Sequence, residues 1–284
     1  MLIKELYLYV LNTSNKDNRG NACTPVMFNN WISFVVIDKF QSYFKQAQAI
    51  SQQDNVDLSN VIMSLTDLHR FISTRSINAA KSYIYEEAIL VGDTAAPAPV
   101  LVLTVGIANY PSDFHYALSL NSNGRPVEIK SPLLLKKYRG GMIVESPDDS
   151  PVAFIEDGKI EYLPNDLTRL VLTYLRTPVK PFYDFCMSSA DIEIYMEIGT
   201  YVKYDSTNTR YNLYSSNGGV LYNDVSHSFF EGLTPNPVVK YYSKTTELDW
   251  DETKHKEIAN AILEKMGVNL RSPEVTQWAA AKQQ

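Results

Sequence analysis

Four histidines, His69, His115, His227 and His255, are the first candidates for acid–base or metal chemistry in this chain. No two of them stand at metal-ligand spacing, and no His-Glu-x-x-His run occurs. His69 falls on a helical face beside Arg70, and His255 lies between Lys254 and Lys256, so surface or structural roles are expected. Asp191 and Glu193 alternate along an expected strand and so share a face, where a nearby partner would make them an acid–base pair. The plainer reading is a solvated strand face. Cys23 precedes an expected helix start, where the helix dipole would favour thiolate, but no histidine is close in sequence to serve it. Asp148-Asp149, between Pro147 and Ser150-Pro151, has turn composition, and Gly140-Gly141 and Gly218-Gly219 mark tight turns. Lys130, Lys136, Lys137 and Arg139 form a basic cluster able to touch phosphate, or equally a solvated or subunit-facing patch. Nucleophile-elbow, P-loop and dinucleotide-glycine patterns do not occur. No catalytic, cofactor-binding or metal-ligating residue is nominated, no cofactor is expected, and the chain reads as other than an enzyme.

The 284 residues suit one large domain or two lobes, and a net charge of -6 argues against general nucleic-acid binding. Tyrosine is in excess, 19 against 11 Phe and 3 Trp, which suits either extensive interfaces or Tyr-rich strands. The two cysteines, Cys23 and Cys186, are far apart, which argues against a zinc or redox motif. An acidic residue and tyrosines interrupt the apolar start, so no signal peptide is read, and no run approaches a membrane span. A soluble protein made in a cytoplasm is expected.

Any such chemistry must be positioned by elements that the spacing of apolar residues predicts. Ile3, Leu6, Tyr7 and Val10 give a short helix over 3–11. Thr24-Pro25 gives a cap and first-turn proline for a long helix reaching about residue 50, with Phe28, Trp31, Ile32 and Val35 on a wide stripe. Truncating Phe28 or Trp31 to alanine costs roughly 3–5 kcal/mol if either is fully buried. Leu58, Val61, Ile62, Leu65, Leu68 and Ile72 predict a third helical face. Strands are expected at Tyr83–Tyr85, 88–91, Val100–Ile107, Tyr116–Leu120, Val127–Ile129, 141–144, Val152–Ile155 and Lys159–Tyr162. More follow at Leu170–Leu175, Ile192–Ile198, Tyr201–Tyr204 and Tyr211–Tyr214. A small-residue linker at 93–99 and a helical turn at 133–138 interrupt them. Asn123-Gly124 and Asp157-Gly158 read as turns, the second as a hairpin. Asp251 caps a last long helix that Gly267 ends, and Ser272-Pro273 starts a short one in which Trp278 either folds back or docks on a partner chain.

The fold class that follows is α+β. An N-terminal helical bundle occupies 1–75, a β-rich lobe 76–247, and a C-terminal helical segment 248–284 packs on the bundle or on a neighbouring subunit. Within the lobe, Leu170–Leu175 alternates Leu170, Leu172 and Tyr174 against Val171, Thr173 and Leu175. It then runs into Pro178 and Pro181, which hold the chain extended without ladder hydrogen bonds.

Four blocks carry a family resemblance. They are Gly20-Asn21-Ala22-Cys23-Thr24-Pro25-Val26-Met27-Phe28-Asn29, Pro111-Ser112-Asp113-Phe114-His115-Tyr116-Ala117-Leu118, the Leu170-to-Pro178 strand with its Tyr174, Arg176 and Pro178, and Thr246-Glu247-Leu248-Asp249-Trp250 followed by Met266-Gly267-Val268-Asn269-Leu270 and Ser272-Pro273-Glu274-Val275. In this order they resemble the neck ring proteins of crAss-like bacteriophages, the head–tail connector components of tailed phages. The chain departs from the pattern at Val26-Met27, where acidic residues are expected, and at Tyr110-Pro111, which lacks a leucine. The resemblance implies a virion structural protein of the neck or tail, with roughly twelve identical subunits closing a head-to-tail ring. Its partners would be the portal and other neck or tail ring proteins, with genomic DNA passing through the lumen without specific binding. No functional residue carries over, since the matching positions are packing and turn determinants. The rival reading is a virion-associated carbohydrate- or receptor-binding module that stacks ligands on Tyr and Trp faces; a glycosidase built on an Asp/Glu pair ranks last.

Overall fold

Thr24 and Pro25 begin the longest element for the expected reason. The Thr24 hydroxyl accepts the Met27 N–H at 3.2 Å, and proline at the first helical position lacks the donor that would otherwise be orphaned. This helix, α2 (Pro25–Asp54), stops where Asn55 takes a left-handed φ of 53° and the Val56 N–H turns back to the Ser51 carbonyl. The computed structural model describes residues 2–14, 23–77, 81–88, 100–131, 151–156, 158–164, 167 and 169–267. Among them the fold is mixed α+β, as expected, with α1 (Ile3–Ser14), α2, α3 (Leu58–Ser64), α4 (Thr66–His69) and α5 (Glu252–Lys265). The expected linker at 93–99, strand at 141–144, helical turn at 133–138, final helix and Trp278 lie outside the described residues.

The chain forms two compact units, one of Met1–Ser42 with Pro178–Gln284 and the other of Tyr43–Thr177. These boundaries differ from breaks after residues 75 and 247. One falls inside α2, and the other falls where Pro178 ends the ladder. The helical face expected to run from Leu58 through Ile72 also divides. Leu65 is extended (φ −83°, ψ 108°) between α3 and α4, and Ile72 opens strand β1. There Ile72 pairs with Leu175, so sheet hydrogen bonding overrides a helical spacing of apolar residues.

The second unit holds β1 (Ile72–Ile77), β2 (Lys81–Ala88), β3 (Val100–Asn109), β4 (Phe114–Ser122), β5 (Arg125–Lys130), β6 (Val152–Glu156), β7 (Lys159–Leu163) and β8 (Leu170–Arg176). They form one sheet in the order β1-β8-β4-β5-β6-β7-β3-β2, antiparallel except between β5 and β6. Successive strands β1 and β2 lie at opposite ends of that order. A flat eight-stranded sheet would separate them by about 34 Å, whereas the four residue steps from Ile77 to Lys81 reach at most about 14 Å. The sheet therefore curls. Its core gathers Leu120, Val127, Ile160, Tyr162, Leu172 and Tyr174. Leu170, Leu172 and Tyr174 are fully buried, as the alternation predicts, and the Tyr174 hydroxyl donates to Asp113 at 3.0 Å. Asn123 (φ 49°) and Gly124 (φ 80°) supply the two left-handed residues of a tight hairpin between β4 and β5.

The first unit begins with α1, which packs against α5. Tyr7 of α1 meets Phe28 of α2 edge-on at 5.2 Å, and Lys39 pairs with Glu257 of α5 at 2.6 Å. Phe28 is fully buried and Trp31 only half-buried, so the full truncation cost applies to Phe28 alone. Asp251 caps α5 by accepting the Thr253 N–H at 3.0 Å, and Gly267 closes it at φ 78°. Two small sheets complete the unit. One is β10-β9-β14, from β9 (Phe185–Ser188), β10 (Glu193–Tyr195) and β14 (Val225–Ser226). The other is β13-β12-β11-β15, from β11 (Tyr201–Asp205), β12 (Arg210–Tyr214), β13 (Val220–Tyr222) and β15 (Lys240–Tyr242). Strands expected to share one lobe thus belong to two units.

Gly106 of β3 sits opposite Tyr162 of β7, and a Cβ built there would lie 2.1 Å from the tyrosine ring, itself 1% exposed. Gly106→Ala should cost at least about 1–3 kcal/mol by overpacking. Adding Tyr162→Ala should remove most of that increment, so a double-mutant cycle in urea should read strong coupling.

Candidate functional site

The residues singled out by type do not converge. His69 is exposed at the end of α4, and His115 is exposed on β4, edge-on to Phe44 at 4.7 Å. His255 is buried in the first turns of α5, its Nε2–H donating to the Trp250 carbonyl at 3.0 Å. Lys130 lies 3.1 Å from Glu128, while Lys136, Lys137, Arg139, Gly140-Gly141 and Asp148-Asp149 lie outside the described residues. Gly218-Gly219 makes the expected turn, with the Ser215 N–H reaching the Gly219 carbonyl at 2.8 Å. Asp191 does not share a strand face with Glu193. It occupies a turn at φ 56°, exposed, whereas Glu193 enters β10 half-buried. Cys23 is buried, and desolvation together with the Glu193 charge pushes its thiol up to about 11, the opposite of an activated nucleophile.

Two carboxylate centres form instead, buried at Asp184 and half-buried at Glu193, both in the first unit. Asp184 is 3% exposed. Its Oδ1 accepts from His227 Nε2 at 3.3 Å and the Phe185 N–H at 3.0 Å; its Oδ2 accepts from the Tyr241 hydroxyl at 3.1 Å and the Lys244 N–H at 2.8 Å. Burial alone would raise this carboxyl, but the donors from His227, Lys244 and Tyr241 outweigh it and hold it below the usual carboxylate range. His227 Nδ1 accepts the Phe229 N–H at 3.0 Å, so the ring proton stands on Nε2 toward Asp184. Both ring nitrogens are committed, and the imidazole packs on Tyr241 at 4.0 Å. An Asp–His pair in this state positions strands; it has no free lone pair to act as a base. Burial, then the Asp184 charge, pushes the Tyr241 phenol up and the Cys186 thiol up to about 12.

Glu193 is the second centre. Its Oε1 accepts the Tyr183 hydroxyl at 2.8 Å and its Oε2 the Tyr7 hydroxyl at 3.0 Å. The Tyr7 and Tyr183 rings stand 4.5 Å apart, and Tyr183 stacks on Tyr195 at 5.0 Å. Desolvation first, then the carboxylate, pushes both phenols upward. Beside them opens a cavity of about 620 Å³ walled by Lys4, Leu8, Tyr195, Glu197, Leu221 and Tyr222. Lys4 Nζ lies over the Tyr195 ring at 5.5 Å, and the Tyr195 hydroxyl donates to Glu247 at 3.3 Å. The hydroxyls of Tyr7, Tyr183 and Tyr195 already have carboxylate partners inside the protein. Among the described residues no group of three or more His, Cys, Asp or Glu could hold a metal ion, and no helix is long and apolar enough to cross a membrane.

These partnerships span 43 residues for Asp184–His227 and 186 for Tyr7–Glu193, so no local spacing marks them. The one sequence signal was an aspartate set in the aromatic run Tyr183-Asp184-Phe185, where an isolated charge would not be buried without donors. Asn29 shows the same long-range logic: its side-chain amide donates to the Tyr183 carbonyl and accepts the Tyr183 N–H, both at 2.8 Å. No protein-family model matches the chain, and no curated protein is significantly similar to it.

Replacing Asp184 by Asn should cost about 3 kcal/mol at neutral pH, since an amide nitrogen cannot accept from these donors. A carboxyl lowered by folding stabilises the native state fully above its unfolded value of about 4 and loses that contribution as pH falls through the lowered value. The Tm gap between wild type and Asp184→Asn should therefore stay level at neutral pH and close in acid. Spectrophotometric titration should show Tyr7 and Tyr183 still protonated when exposed phenols have ionised near about pH 10. Glu193→Gln should bring both phenols down toward that value.

Proposed function

We propose that this protein is a virion structural subunit that assembles into an oligomeric ring in a phage neck, a head–tail connector extending the portal channel for genome passage. The observation that carries the reading is the exposed apolar surface of the first unit: Leu221 and Tyr222 are half exposed, Ile198 64%, Tyr242 57% and Val238 81%. Exposed apolar side chains of this kind are what a subunit interface covers. The blocks that carry the family resemblance support it as packing determinants. Asn29 of the first clamps Tyr183, just after the third, and Phe182 pairs through both backbone hydrogen bonds with Thr246 of the fourth. In this reading α1, the start of α2 and α5 act as a terminal helical bundle that stacks on a neighbouring ring, and strands of the unit make lateral contacts. Identical subunits, roughly twelve by the resemblance, are joined by the portal and other neck or tail ring proteins. A net charge of -6 lets DNA slide without specific binding, and turnover plays no part.

One observation favours the second reading, a carbohydrate- or receptor-binding module. Tyr214, Tyr201 and Tyr242 stand side by side across three strands, with Tyr201 and Tyr214 stacked at 5.2 Å and 9°. Purified protein, alone and mixed with portal-side neck proteins, should give a discrete ring by electron microscopy and native mass. A monomer that binds no neck or portal component, yet binds a glycan on an array and loses it on Tyr201→Ala, would replace the ring reading with the module.

A further inference from the structure

The four-stranded sheet of the first unit ends in two strands of the same unusual kind. On β13, Val220, Leu221 and Tyr222 are each about half exposed. At the other end, Tyr242 of β15 is exposed, and Val238 and Val239 lead into it. Edge strands of monomers are normally blunted by inward charges or cover, since open ladder groups template further pairing. Here both edges of one sheet carry exposed apolar side chains, with Lys240 exposed beside them on β15.

Strand direction decides how copies could meet. Every neighbouring pair in β13-β12-β11-β15 is antiparallel. With four strands, the two edge strands consequently run in opposite directions. Placing β15 of one copy beside β13 of the next continues the alternation without a break, and the two strands match at three residues each. This head-to-tail contact covers both edges of every copy. Two-fold pairing of either edge with itself leaves the other edge open. Pairing with β13 instead sets Lys240 near Tyr222 and Asp224, an aromatic ring and an opposite charge.

We propose that a second copy of this chain is the occupant of each edge, with β15 of one subunit adding to β13 of the next so that one sheet runs through the ring. The proposal rests on the ring reading and names its lateral contact. A three-residue ladder is weak alone, so closure of the ring supplies the stability through many simultaneous contacts.

The test uses the full chain with thiols at the edges, Leu221→Cys and Tyr242→Cys, and a short bis-maleimide; native Cys23 and Cys186 are buried. Each single variant alone should give no covalent dimer, their mixture should give a dimer, and the double variant should give a ladder of higher oligomers. Leu221→Lys, at an exposed position, should abolish the ring with an unchanged circular-dichroism spectrum. Dimers from either single variant would show two-fold pairing and overturn the proposal. Rings that persist in Leu221→Lys and never cross-link at these positions would overturn it while leaving the ring reading intact. A ladder without any wild-type ring would uphold the edge contact and remove the ring.

Discussion

The first unit depends on how the segment Pro181–Cys186, with Tyr183, Asp184 and Cys186 buried, satisfies its polar groups. It is extended, tyrosine- and phenylalanine-rich, and carries a carboxylate into the interior. A buried ion without donors costs several kcal/mol even after relaxation. Here the donors come from three sequence-distant places: the turn at His227, Tyr241 of β15, and the backbone at Lys244. The segment's other groups are tied as tightly, Phe182 to Thr246 and Tyr183 to Asn29 and Glu193. Because β15 is held through Tyr241 and Lys244, the buried carboxylate also fixes where one sheet edge stands. A packing constraint in the interior thereby becomes a surface property.

The second unit is held by different means. Its core is apolar cross-strand packing, with Gly106 yielding space to Tyr162 and Leu120, Leu172 and Tyr174 filling the interior. The short passage from Ile77 to Lys81 forces the sheet to curl, so its topology follows from chain length as much as from side chains. Removing a methyl group there creates a cavity with graded cost. Removing one donor in the first unit exposes an unmet charge, which is a steeper penalty.

This contrast explains what could be read from the sequence. The capped helices α2 and α5 and the hairpin at Asn123-Gly124 are set by local chemistry: Thr24 before Pro25, Asp251 before a helical run, two residues tolerant of positive φ. The strand Leu170–Arg176 is marked by an alternation that burial follows through Tyr174, with Leu175 of the other face buried as well. Strands β9, β13, β14 and β15 carried no such signal. They are two to four residues long, and Val220–Tyr222 is exposed throughout, so no face alternates. Ile72 was drawn into a helix because its spacing from Leu68 fits one, and only the pairing with Leu175 says otherwise. The Asp184 and Glu193 centres were illegible because hydrogen-bond partners set by tertiary contact leave no periodicity.

The open edges raise a physical problem that bears on any role for this protein. A sheet whose two end strands carry exposed apolar side chains and run in opposite directions is able to add copies without limit, as in a fibre. Three features oppose that outcome. The edge strands are only three residues long, a register irregularity between Leu213 and Tyr214 twists the β13 side, and Pro235 and Pro237 restrict the approach to β15. Short contacts of this kind are too weak to sustain an open polymer of two-point joints, yet they become stable when the last copy meets the first. In the proposed head-to-tail contact, the same weakness that opposes fibre growth would make a closed ring the favoured product, with the copy number set by the angle between successive sheets.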